Sequence, residues 1–323
     1  MDKRQKLIDR LNKKQVRLSY SSLKNFTTPI NFINYKLKRF NPNAGMIFGS
    51  VGDCLLLTPE DFDNQYKISP QVPSTDLQIS YANNVVDYMN EHNIKDVNSL
   101  NDEDIEMFYV QSDYSQKGDI STKAEKTFRS LEIYFQAVAI GKTIIKAEVY
   151  EEAKKVIDNL KNFDDVALLL ENKLGVQQQL DFERGGWKFR SYLDFTLPNT
   201  IWDLKYSKDA DPDKFLKDIG NLGYDFQAGV YTIGSMTCEE PLFEYDPNYA
   251  FLVYDKSGQY SIIEMDYSYI RYGQRKFEYN LEAINRCVEE NAWDKSYEFF
   301  NRKTVAYKPK WAKGYELLTD KQE

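Results

Sequence analysis

The sequence predicts a mixed α/β fold, with helices gathered in the first half of the chain and strands in the second. Three observations predict it. Apolar residues recur at helical spacing through most of residues 81–172, and after Gly175 the period drops from 3.6 to 2. A closing segment from Ser268 to Trp293 returns to helical spacing. With 323 residues, 42% of them hydrophobic, the chain can bury a sizeable core in one elaborated domain or in two.

In chain order, residues 1–17 form a basic segment with Lys3, Arg4, Lys6, Arg10, Lys13, Lys14 and Arg17 against Asp2 and Asp9. Residues 18–40 carry an N-cap signal at Ser21 or Ser22, followed by apolar residues at helical spacing. The stretch NPNAG (41–45) is a loop. Beyond it Ile47, Val51, Leu55 and Leu56 recur at helical intervals until Pro59 marks the exit. Residues 69–80, polar and proline-bearing, read as a loop.

Helices are then expected over 81–92, 102–111, 122–141, 148–162 and 164–173, with Gly175 as the stop. Three strand candidates follow, VQQQLDFE (176–183), GWKFRSYLDFTL (186–197) and TIWDLKYS (200–207). The turns between them are ERGG and Pro198-Asn199. Residues 211–234 return to helix. YAFLVYDKS (249–257) and QYSIIEMDY (259–267) are two more strands, turning at Lys256-Ser257-Gly258, before the closing helix. The expected organisation is a basic segment (1–17), a mainly helical part (18–172) and a core (173–323) that shares one compact domain with it.

Several function classes are excluded early. Cys54, Cys238 and Cys287 are far apart and odd in number, which suits neither a disulfide framework nor a CxxC zinc site. His92 is the single histidine and sits in polar MNEHNIKD, so His-based triads and His-rich metal sites have no material; a solvated role is expected for it. Gly141-Lys142-Thr143 imitates the end of a phosphate loop but lacks the earlier glycine, Gln136 standing there. Cys54 reads as a small buried residue. Without an apolar signal core or a membrane-length run, a cytoplasmic, membrane-free protein is expected.

Net charge is −8, which argues against indiscriminate coating of nucleic acid. Local patches remain. Near the C-terminus Lys308, Lys310 and Lys313 interleave with Trp311, a pattern that suits phosphate contact and stacking, or else a solvated tail.

Strand alternation places Asp203 and Lys205 on one face, with Trp202 and Leu204 on the other. In the preceding strand Trp187, Phe189, Leu193 and Phe195 form the apolar set, and Lys188, Arg190, Tyr192 and Asp194 the opposing one. Hairpin pairing then allows Asp194 to join Asp203 and Lys205. Two carboxylates and a lysine suit a hard cation such as Mg²⁺ or Mn²⁺, with the lysine orienting or deprotonating a water. An exposed ion pair is the plain alternative for D-x-K by itself.

The ordered set Asp194-x8-Asp203-Leu204-Lys205, then Gln227-x3-Tyr231 on a helix, resembles the PD-(D/E)XK nuclease superfamily. Within it the chain is similar to the exodeoxyribonuclease VIII-like phage and prophage exonucleases. SYSSLKNF (19–26), GSVGDCLLLTPEDF (49–62), WDLKYSKDADPDKF (202–215), GYDFQAGVYTIG (223–234), FLVYDKSGQYSIIEMD (251–266), CVEENAWDKSY (287–297) and PKWA (309–312) fall in the family's order.

The resemblance implies a restriction-endonuclease-like core, a mixed central sheet flanked by helices with a helical N-terminal elaboration. It implies Asp194 and Asp203 as metal ligands, Lys205 as the catalytic lysine, and a backbone carbonyl of Leu204 in the metal shell. Gln227 and Tyr231, four apart on one helical face, would line the site. Where the family carries histidine after Gly49, this chain has Asp53, a carboxylate also able to hold a hard metal. The family glutamate before the first motif aspartate falls among Gln177, Gln178, Gln179 and Glu183.

The activity implied is a Mg²⁺- or Mn²⁺-dependent exonuclease that digests duplex DNA ends into single-stranded tails. Its partners would be a single-strand annealing or recombination protein, with room for a homo-oligomer, in a bacterial cell or phage-infected host. A catalytically silent DNA-binding scaffold and an accessory nuclease of a helicase complex are the two rivals.

Overall fold

The computed structural model of the chain describes residues 2–300, so Lys308, Lys310, Trp311 and Lys313 lie outside the described residues. The basic N-terminal segment is a docked helix, α1 (Lys3–Asn12), rather than a solvated end. Leu11 is buried, and Lys14 Nζ donates to the Gly185 carbonyl at 2.9 Å. Next come α2 (Tyr20–Lys24), α3 (Pro29–Leu37), α4 (Ala44–Leu57), α5 (Phe62–Gln65) and a short strand β1 (Tyr66–Ile68). The cap of α2 is Ser19, two residues before the nearer of the two expected positions: Ser19 accepts from the Ser22 amide, and Ser22 returns the bond.

Helices α6 (Asp76–Glu91), α7 (Asp102–Gln111), α8 (Ile120–Arg129) and α9 (Glu132–Ala139) bury a core of their own, built on Tyr81, Phe108 and Phe135. Two expectations need correcting here. Helix α6 starts inside the stretch read as a loop, because Thr75 and Gln78 form a capping box. The single helix expected over 122–141 is two, broken at Ser130–Leu131. Strand β2 (Thr143–Ile145) pairs in parallel with β1, and α10 (Ala147–Leu160) and α11 (Asp164–Glu171) lead into the sheet.

The sheet has five strands in sequential order: β3 (Gly175–Arg184), β4 (Trp187–Leu197), β5 (Thr200–Tyr206), β6 (Asn248–Tyr254) and β7 (Tyr260–Glu264). All neighbours are antiparallel except β5 and β6. A parallel pair needs a crossover, supplied by α12 (Pro212–Leu222) and α13 (Tyr224–Thr237). Gly223, at φ 71°, ends the first and starts the second, so the helix expected over 211–234 is also two. Helix α14 (Tyr267–Glu290) closes the fold. Among the described residues no helix is long and apolar enough to cross a membrane.

Two cores sandwich the sheet. One joins Phe189, Leu193, Ile201 and Phe251 to Phe226 and Val230 of α13 and Phe277 of α14. The other joins Phe195, Trp202, Leu204 and Tyr254 to Phe48, Val51 and Leu55 of α4. Phe195 therefore does not share a face with Leu193, as plain alternation predicts. The break falls at Asp194. Its partner position on β3, Gln177, is left-handed at φ 48°, and neither residue is paired between Val176↔Phe195 and Gln178↔Leu193. Beyond it Phe195 stacks on Trp202, 5.8 Å between ring centres.

Glycines set the height of the layers at two places. A Cβ on Gly52 of α4 would lie 2.1 Å from the Tyr254 hydroxyl, so this helix presses onto β6 only because the position is bare. At the crossing of α13 and α14, a Cβ on Gly273 would lie 1.9 Å from the Asp225 carbonyl.

Candidate active site

Three elements bring the predicted residues to one place, where β4 and β5 part between α4 on one face and α13 on the other. On β5, Asp203 and Lys205 point toward α13. Asp203 is 2% exposed; its Oδ1 accepts from Gln227 Nε2 at 2.8 Å and its Oδ2 is ion-paired with Lys205 Nζ. The ammonium also sits 4.9 Å from the centre of the Tyr224 ring.

Burial would push the Lys205 pKa down, but Asp203 and Asp194 outweigh it and hold the group above the ordinary lysine range. The two carboxylates thus favour its ammonium form, which suits orientation and charge compensation.

Asp194 stands where the pairing of β4 with β5, which runs from Phe195↔Trp202 to Leu197↔Thr200, has stopped. Its Oδ2 accepts from the Leu204 amide at 2.7 Å. Its carboxyl is pushed up to about 7, by burial first and the Asp203 charge second, against Lys205 and the Leu204 amide. Leu204 thus serves the site through its N–H, while its side chain packs with Trp202 in the core below α4.

Asp53 enters from α4. Burial, and then the Asp194 charge, raise its carboxyl well above the carboxylate range. Its Oδ1 is buried with no hydrogen-bond partner. Tyr231, one turn beyond Gln227, has its phenol pKa raised by burial and then by Asp203.

The donor set can be tested for a divalent cation. Among the described residues no three Asp, Glu, His or Cys side chains stand at metal-holding spacing. In this arrangement Lys205 occupies one oxygen of Asp203, Gln227 the other, and the Leu204 amide takes Asp194. Yet three buried carboxylates face a single ammonium, and Asp53 Oδ1 is an unfilled acceptor among them. Hard oxygen donors, whose ionisation a bound cation would favour, fit Mg²⁺ or Mn²⁺ in chemistry.

Two residues near the site, Tyr224 and Tyr20, were missed by sequence reasoning, and a third, Gln177, was left open among four positions of β3. Tyr224 lies three residues before Gln227 and seven before Tyr231, so its helical spacing was a readable signal. Tyr20, in the field of Lys205 and Asp203, lies edge-on to Tyr231 at 6.4 Å. Gln177 acts on Asp194, whereas Gln178 bonds Thr196, Gln179 bonds Asp181, and Glu183 pairs with Lys188 on the exposed hairpin. No local signal singles out Gln177, because its left-handed backbone follows from the sheet's distortion.

The remaining candidates fall elsewhere. His92 is exposed at the end of α6, its Nδ1 2.9 Å from the Tyr88 carbonyl. Cys54 is buried beside Leu55.

Comparison with known proteins gives a family match and a structural likeness, each over most of the chain. The family model described as a PDDEXK-like domain of unknown function (DUF3799) covers residues 19–300. A crystal structure of a candidate exonuclease from Eubacterium rectale aligns at 14% identity and a TM-score of 0.48, over 93% of this chain and 92% of that one. Among curated proteins none matches.

Proposed function

The chain belongs to the PDDEXK-like family, and from that premise we propose that it is a divalent-metal-dependent DNA nuclease acting at duplex ends. The observation that carries this reading is the convergence of Asp53, Asp194, Asp203 and Lys205 from three separate elements. A surface ion pair has no need of two further buried carboxylates, whose mutual repulsion costs stability. Sites tolerate such a cost where the charges have work to do.

In this reading Asp53, Asp194 and Asp203, with the Leu204 carbonyl, hold the metal. The chemistry that Mg²⁺ or Mn²⁺ supplies there is Lewis-acid polarisation of a phosphate oxygen and a lowered pKa for the attacking water. Gln227 fixes the orientation of Asp203 through its amide. Lys205 offsets negative charge that builds on the phosphate oxygens during displacement, and Tyr224 limits its rotation. Digestion from an end, leaving single strands for an annealing or recombination partner, is the finer form of the proposal and rests on the resemblance of the ordered motifs.

The test is cleavage of linear, nicked and covalently closed DNA in Mg²⁺ and in Mn²⁺. Cleavage confined to linear DNA is expected; cleavage of closed circles at the same rate rejects end-dependence, and no cleavage of any rejects the nuclease.

A second measurement isolates the metal from the reaction. In the metal-free protein ionising Asp53 is costly, because burial and the Asp194 charge both oppose it. Asp53→Asn is expected to melt higher than wild type without metal, and to lose most of the melting-temperature gain that Mg²⁺ or Mn²⁺ gives wild type. Equal gains in both proteins remove Asp53 from the metal shell. Asp53→His is expected to keep cleavage and shift its Mn²⁺/Mg²⁺ preference, since imidazole is the softer donor.

A further inference from the structure

Beside the active site two cavities run together along residues 35–41. The first, of about 480 Å³, is lined by Ser22, Asn25, Tyr35, Lys36, Lys38 and Phe40 among others. It shares Arg39, Phe40 and Asn41 with a second of about 450 Å³, whose wall continues over Pro73 and Tyr134 to Lys142. Four cations line the pair, Lys36, Lys38, Arg39 and Lys142, and among the described residues no carboxylate does. That segregation is notable in a chain of net charge −8.

The middle of the groove is an aromatic ring left in water. Phe40 is 71% exposed, directly after Lys38 and Arg39. Arg39 is anchored by Asp87 and the Asn83 carbonyl, at 2.6 and 3.1 Å, which holds the segment and its phenylalanine in place. Helix α2 lies between the groove and the site. Its cap Ser19 and its Ser22 line the first cavity, while Tyr20 and Lys24 of the same helix lie in the field of Lys205.

We propose that this groove is a track for one unpaired strand of DNA leading to or from the active site, with Lys36 and Lys38 on its phosphates and Phe40 stacked on a base. The proposal rests on the nuclease reading for the identity of the polyanion. A cation-lined groove takes phosphates without regard to sequence, and an exposed ring adds base stacking. Stacking on a lone ring requires a base free of its own duplex neighbours, so a single strand is the occupant that uses both features. These residues lie far in sequence from the C-terminal lysines and were not singled out by motif or composition.

The probe is a fluorescein-labelled oligothymidylate of about 20 nucleotides, with a blunt duplex of equal length as comparison, both in EDTA so that binding is read without cleavage. Phe40→Ala is expected to weaken oligothymidylate binding roughly 5- to 100-fold, the range of one stacked base. It should weaken duplex binding less than twofold. Lys38→Gln should lower the log–log salt slope for the single strand by about 0.7, one phosphate contact. Both side chains are exposed, so an unchanged melting temperature is expected and checks the fold.

Wild-type affinity and slope in both variants, or an equal loss on duplex, overturns the track. Cleavage of linear DNA in Mg²⁺ is scored on the same preparations. A wild type that binds through Phe40 yet never cleaves rejects the nuclease and leaves the track standing; one that cleaves while Phe40→Ala binds normally rejects the track alone.

Discussion

Lys205→Ala and Asp203→Asn are each expected to lower DNA cleavage by at least ~100-fold, because each removes a group that phosphoryl transfer needs fixed in place. Both variants are also expected to lower stability. Asp203→Asn keeps one acceptor where two donors, Gln227 and Lys205, now find two, and takes the paired carboxylate away from a buried ammonium, so it should melt below wild type. Lys205→Ala removes the single ammonium facing Asp203 and Asp194, in a pair whose side chains are 16% and 3% exposed. Breaking a buried pair from one side costs about 3–5 kcal/mol, so its stability should fall, and cleavage must be read well below its melting temperature. Near-normal cleavage by either folded variant would sink the assignment of these residues to the reaction.

Gly52→Ala is expected to destabilise the protein by about 1–3 kcal/mol, the usual cost of forcing a methyl into a packed interface. The added Cβ meets the hydroxyl of Tyr254, which is fully buried, and the helix must lift or the tyrosine must move. Because Asp53 is the next residue, lifting α4 should also weaken metal-dependent cleavage, whereas a plain surface glycine would leave it untouched. Adding Tyr254→Phe removes the 2.1 Å contact and leaves the next at 3.0 Å, so the double variant should recover part of the lost stability. A Gly52→Ala protein that melts and cleaves like wild type shows that the close approach of α4 to β6 is not what holds Asp53.

How much of this was legible beforehand differs from residue to residue. Asp203 and Lys205 were readable because alternation along β5 is a local property, and the strand keeps it from Ile201 to Lys205. Gln227 and Tyr231 were readable because four residues span one helical turn, and Tyr224 obeyed the same rule unnoticed. The turns at Gly185-Gly186 and Asn199 were readable because positive φ suits those residue types, and the backbone takes it at all three.

Asp194 was reached for a reason that holds only in part. Simple alternation carried across the hairpin predicts its face, but the strand abandons alternation there, and Phe195 crosses to the other core. That switch depends on the left-handed backbone at Gln177 and on the Leu204 amide taking a side chain in place of a strand partner. Neither is written in the neighbouring residues. Both follow from how β4 and β5 part.

The sequence by itself determined the order of elements, the turns, and which residues of β5 and α13 share a face, because all of these depend on neighbours a few positions away. Periodicity could not bring Asp53 to them, and only the family resemblance named it; tertiary structure delivers it across more than 140 residues on a helix that a glycine lets close on Tyr254. It also set the electrostatics, for the field that favours the Lys205 ammonium and raises the Asp53 and Asp194 carboxyls arises only once burial has brought the three carboxylates together away from water.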